Sequence, residues 1–124
     1  MEKGTGISAV RGGGTKTYNS SVSINATVQT GYTWSEWTED SNQVTTTKAY
    51  TFNMPASDKT YKANATANIY SIKYNGNGNT GGSMSNSSHT YNSSKKLAAN
   101  AFTKNGYEFL GWATSATGEV IYSD

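Results

Sequence analysis

The 124-residue sequence contains no cysteine and a single proline. Without thiols there is no disulfide framework, no zinc finger and no cysteine nucleophile. Long apolar runs are also missing, and nothing approaches the roughly 18 residues that a membrane-spanning helix needs. No membrane insertion is therefore expected. The first thirty residues are rich in Gly, Ser and Thr and lack the apolar core of a secretory signal. Ten Lys and Arg against eight Asp and Glu give a net charge of +2. The cations are not clustered, which argues against a nucleic-acid or anionic-lipid partner. Aliphatic residues are scarce too: Leu, Ile, Val and Phe together number 15. So low a content signals disorder when net charge is high or aromatics are few. Here the charge is small, and nine Tyr and three Trp are present. Rings that large can replace aliphatic side chains in a core, so the chain reads as folded around aromatics.

What the sequence does have is a repeat. Tyr18-Asn19-Ser20-Ser21 recurs as Tyr91-Asn92-Ser93-Ser94, and Gly31-Tyr32-Thr33-Trp34-Ser35-Glu36-Trp37 recurs as Gly106-Tyr107-Glu108-Phe109-Leu110-Gly111-Trp112. The offset is 73 residues at the first block and 75 at the second. A repeat at this spacing points to one supersecondary unit written twice. The units are placed at residues 4–67 and 68–124.

Within them, apolar residues alternate with polar ones at Val22, Ile24, Ala26 and Val28; at Tyr50, Phe52 and Met54; at Tyr61, Ala63 and Ala65; and at Tyr70, Ile72 and Tyr74. That period of two is the mark of half-buried strands. The segment 95–102 is the best helical candidate, although its match to 22–28 argues for a strand at its start. The Gly-Tyr-x-aromatic-x-x-Trp block breaks the alternation. Trp37 lies three residues beyond Trp34, so in a regular strand it faces the other way. Either the sheet buries both faces or a bulge restores the face. Gly31 and Gly106 are expected to supply a turn with φ > 0 ahead of the block.

The block Gly106–Trp112, with Tyr70-Ser71-Ile72-Lys73-Tyr74-Asn75-Gly76-Asn77-Gly78 before it, resembles the Listeria–Bacteroides repeat of the internalin B B-repeat superfamily. The first unit resembles the divergent B-repeat of the same superfamily, above all at Tyr50-Thr51-Phe52-Asn53-Met54-Pro55-Ala56-Ser57-Asp58. The resemblance implies small β-grasp-like modules in tandem on large bacterial surface or secreted proteins, with no catalytic residues to carry over. It also implies two departures. The alternating strand expected before Gly4 is reduced to Met1-Glu2-Lys3, and the closing strand expected after Asp124 is missing. The chain is thus expected to be a piece of a longer protein, its first unit the better packed and the strand edge of its second open to intermolecular pairing.

Candidate chemistry is sparse. Gly76-Asn77-Gly78-Asn79-Thr80-Gly81 matches G-x-G-x-x-G, but a dinucleotide site needs a helix directly after it, and the Ser/Asn-rich residues that follow favour a turn. His89 reads as a solvated loop histidine with no carboxylate nearby in sequence. Glu36, Glu39 and Asp40 could serve glycoside hydrolysis or calcium binding, and read instead as a solvated turn at a strand end. Trp34, Trp37, Trp112, Tyr32 and Tyr107 are either a sugar-stacking platform or the core, and the shortage of aliphatics favours the core. Trp37 and Trp112 are the candidate ligand-contacting residues, because the break in alternation makes them the rings most expected to stay partly exposed.

The sequence therefore predicts a mainly β chain of two tandem small β-grasp-like modules, with antiparallel or mixed sheets and little helix. No enzyme activity, cofactor or metal is expected. The expected role is that of a spacer or stalk whose partners are neighbouring repeats of a parent protein at the bacterial surface. The alternative is an adhesion module binding host protein or glycan through a strand edge or aromatic face.

Overall fold

A computed structural model describes residues 1–123. The described residues form strands, turns and irregular segments with no helix, so the chain is all-β. It divides into two compact units, Met1–Asn68 and a second that opens at Ile69.

The first unit holds seven strands: β1 (Glu2–Lys3), β2 (Ile7–Arg11), β3 (Ser21–Val28), β4 (Tyr32–Glu39), β5 (Asn42–Thr45), β6 (Tyr50–Asn53) and β7 (Lys62–Ala67). They make a sheet of order β1-β7-β4-β5 and another of order β2-β3-β6. The first sheet is mixed: β1 runs parallel to β7, and the other pairs are antiparallel. Strand β3 shows why this sequence makes a strand. Val22, Ile24 and Ala26 are buried while Ser21, Ser23, Asn25 and Thr27 are exposed, the two-residue alternation of a sheet with one face on a core. Ser23 and Thr51, opposite each other on β3 and β6, are joined outside the core by a 2.8 Å hydroxyl hydrogen bond. The core gathers Ile7, Val22, Ile24, Ala26, Trp37, Tyr61 and Ala63, with Trp34, Val44, Tyr50, Phe52, Met54 and Ala65 packed on it.

The second unit has a hairpin of β8 (Ile69–Ile72) and β9 (Ser87–Thr90). Isolated bridges join Gly81 to Thr103 and Trp112 to Tyr122. Of the eight buried apolar residues described, seven are in the first unit, and Tyr74 alone is in the second. Segment 95–102 is neither helix nor strand, so the strand drawn there from its likeness to β3 does not form. Leu97 and Ala99 stand where Ile24 and Ala26 do, but Lys95 stands in place of Val22 and Ala98 in place of Asn25, so the alternation is broken. Tyr70 also departs from the expected pattern. It sits on β8 but is 52% exposed, whereas Tyr74, beyond the strand end, is 7% exposed.

The turns reproduce the repeat. Asn19 and Asn92 both adopt positive φ, 59° and 55°. Each follows a tyrosine in a turn closed by Ser20 N–H to Thr17 O (3.1 Å) or Ser93 N–H to Thr90 O (3.2 Å). Gly31 and Gly106 take φ of 84° and 79°. Their turns are closed by Tyr32 N–H to Gln29 O (3.2 Å) and Tyr107 N–H to Lys104 O (3.1 Å). Asparagine and glycine are the residues that reach left-handed backbone at least cost.

Candidate functional site

The two tryptophans singled out by sequence have different fates. In β4 the pairing with β7 shifts between Trp34 and Glu36: Trp34 faces Ala65, and Glu36 faces Asn64. Ser35 is the extra residue of a β-bulge. Beyond it Trp37 faces Ala63, and Ala63 and Ala65 lie two apart on one strand face. Trp34 and Trp37 therefore share a face, and the bulge resolves the broken alternation. Trp37 is 0% exposed, which corrects the expectation that it stays partly open. Small Ala63 opposite it leaves room for the ring. Its indole N–H donates to Lys48 O at 3.0 Å, and that of Trp34 to Thr46 O at 2.7 Å. The segment after β5 thus satisfies the polar edge of both rings, as buried indoles require.

Trp112 is half-buried in the second unit. Its ring lies 4.9 Å from Tyr74, 5.1 Å from Phe109 and 6.4 Å from Phe102 between centroids. These rings line a half-open groove of about 1190 Å³. Three lysines (Lys73, Lys95 and Lys104) and one carboxylate, Glu108, line it among the described residues. Lys104 Nζ donates to Asn77 O at 2.9 Å and lies 4.5 Å from the Tyr107 ring centroid. Lys95 Nζ donates to Ser88 O at 2.8 Å. The Asn79 amide donates to Gly81 O and Gly82 O, and that of Asn77 to Ala116 O. Part of the polar lining is therefore engaged in holding loops together.

The sequence reading missed a hydrogen-bonded chain along one wall. Ala98 N–H donates to the Tyr74 hydroxyl at 2.9 Å, that hydroxyl meets Ser87 Oγ at 2.8 Å, and Ser87 Oγ meets His89 Nε2 at 2.7 Å. His89 is thus a half-buried residue of β9, not a solvated loop residue. Ser87 and His89 are two apart on one strand, so they share a face. Only the β9 assignment could have revealed the contact from sequence. Ser87 is already bound to Tyr74, so the chain ties β9 to the buried ring and to the segment at Ala98.

The other motifs settle into turns. Asp40 and Ser41 take φ of 48° and 67° at the tip between β4 and β5, and Glu39 pairs with Lys59 at 3.0 Å. Hydrogen bonding to Glu39, followed by its charge, raises the Lys59 ammonium above its ordinary value. Burial raises the Tyr61 phenol. The G-x-G-x-x-G stretch is also a turn, in which Asn77 N–H donates to Asn75 Oδ1 at 2.9 Å and Gly78 takes φ of 75°.

Residues 2–69 match the family model of the divergent InlB B-repeat domain, and residues 70–124 match that of the Listeria-Bacteroides repeat domain. No curated protein and no solved structure matches the chain. Repeat domains of the Listeria–Bacteroides type are consistent with a non-catalytic module.

Proposed function

The chain belongs to the divergent InlB B-repeat family, and on that premise we propose that it acts as a spacer in a bacterial surface or secreted protein, with neighbouring repeats as its partners. The observation that carries this reading is a shared ring pair. Trp34 and Trp37 meet edge to face with centroids 5.5 Å apart, and the equivalent Phe109 and Trp112 do so at 5.1 Å. The two aligned rings of the repeated block pack against each other in both copies, which supports a unit that serves as a folded block. Its family setting supports an extracellular location.

A second reading, adhesion to host protein or glycan, draws on the groove of the second unit. Trp112 is half-buried there, and Tyr107 and Leu110 are 73% and 77% exposed. Exposed apolar patches on a folded domain commonly mark interaction sites. A glycan array and a pull-down from host-cell extract, run on the intact chain and on Trp112→Ala, separate the two. The spacer reading predicts no saturable ligand. Capture abolished by Trp112→Ala with the fold intact supports adhesion instead.

A further inference from the structure

The second unit carries three Asn-Gly pairs, at 75–76, 77–78 and 105–106, and the first unit carries none. In such a pair the backbone nitrogen of the glycine can attack the side-chain carbonyl carbon of the asparagine, because no Cβ obstructs the approach. The N–Cγ bond forms, the Cγ–Nδ2 bond breaks and ammonia leaves. Water then opens the five-membered imide at either carbonyl, giving aspartate or isoaspartate. The net change is amide plus water to carboxylate plus ammonium, and no oxidant or further reactant is needed.

Whether a folded chain permits this depends on three things: a side chain free to swing, a glycine N–H not engaged elsewhere, and open space around the pair. Asn75 and Asn77 are tethered, the first accepting the Asn77 N–H through Oδ1 at 2.9 Å, the second donating Nδ2 to Ala116 O at 3.0 Å. Asn105 differs. Its backbone N–H is held by Thr80 Oγ1 at 3.0 Å, but its side chain makes no hydrogen bond among the described residues. Gly106 N–H likewise donates to no described backbone group, Gly106 has φ of 79°, and nothing lies within 4 Å of where its Cβ would stand.

We infer that Asn105–Gly106 is a site of spontaneous deamidation, reacting ahead of the other two pairs and marking the second unit alone. The product places a carboxylate next to Lys104 on the groove wall. Isoaspartate adds a methylene to the main chain inside the Lys104–Tyr107 turn, whose closing hydrogen bond is 3.1 Å. The equivalent turn of the first unit has Thr30–Gly31 and cannot react. This inference stands independently of the spacer reading.

The test is a time course of the intact folded chain at mildly alkaline pH and body temperature. Trypsin cleavage after Lys73, Lys95 and Lys104 separates Asn105 from the other two pairs, and fragment mass spectra distinguish Asn75 from Asn77. Breaking one ordinary hydrogen bond first slows a reaction roughly fivefold, so Asn105 should convert roughly fivefold faster than Asn75 or Asn77. In urea that preference should collapse. Asn105→Thr, which copies the first unit's turn, should remove the product at that position and leave the others unchanged. Equal rates at all three pairs in the folded chain, or faster conversion at Asn75 or Asn77, would overturn the inference.

Discussion

Trp34 and Trp37 stand three residues apart on one strand yet meet edge to face at 5.5 Å, with their planes at 61°. A regular strand would send them to opposite faces. The extra residue Ser35 brings them together, and the buried ring then becomes the centre of the first unit's core. Truncating it should leave a large cavity. Trp37→Ala is expected to cost about 3–5 kcal/mol, read as a lower urea midpoint for the first unit's amides in hydrogen exchange.

Deleting Ser35 tests the bulge itself. Without it Trp34, Glu36 and Trp37 become consecutive opposite Ala65, Asn64 and Ala63, a regular alternation that keeps both rings on the core face. The expected result is a first unit that keeps its dispersed amide spectrum, and loss of that spectrum would contradict Ser35 as the extra residue. Substituting Ser35→Ala keeps the residue count and should leave that spectrum folded.

Strands β3, β6 and β7 of the first unit were legible because they alternate cleanly, and the paired turns were legible in Asn19/Asn92 and Gly31/Gly106, whereas β2 and β5 carry no clean alternation and were not legible. The parity break at Trp37 showed that something irregular was needed there. It did not show which of two solutions applied, since a bulge depends on the partner strand's register and not on local composition. The burial of Trp37 rests on Ala63 and on the Lys48 carbonyl, 26 and 11 residues away in sequence. In the second unit the matched tetrapeptide Tyr91–Ser94 yielded the turn and not the strand after it. Its likeness to β3 stops where the apolar alternation stops. The Tyr74–Ser87–His89 chain brings residues together across a 13-residue separation, which no spacing rule foretells.

Tyr74→Phe should destabilise the second unit by about 1–3 kcal/mol, since it leaves the Ala98 N–H and Ser87 Oγ without a shared partner. The first unit should be unaffected. Residue-resolved hydrogen exchange reports both halves in one experiment, and equal losses in the two units would contradict the assignment.

Alkaline pH should weaken the first unit. Burial holds the Tyr61 phenol above its ordinary 10.0, and Lys59 is raised by its hydrogen bond to Glu39. Both folded-state values are raised, so the stability they confer is fully present below the unfolded values, about 10. It is lost as pH rises through the folded ones. Tyr61→Phe removes the phenol and should flatten the decline in urea midpoint above about pH 10. An unchanged decline would assign the effect to other groups.

Trp112→Ala should be milder than Trp37→Ala, at about half its cost, because the ring is only half-buried and the surrounding groove is already open. Parallel urea titrations give the ratio directly.

The most direct test of the repeat is a two-dimensional NOE spectrum of the intact chain in solution. One aromatic module written twice predicts ring-to-ring cross-peaks between Trp34 and Trp37 and, independently, between Phe109 and Trp112, with the Trp37 indole proton slow to exchange with water. Absence of either pair of cross-peaks, or a Trp37 indole exchanging as fast as a free one, would contradict it.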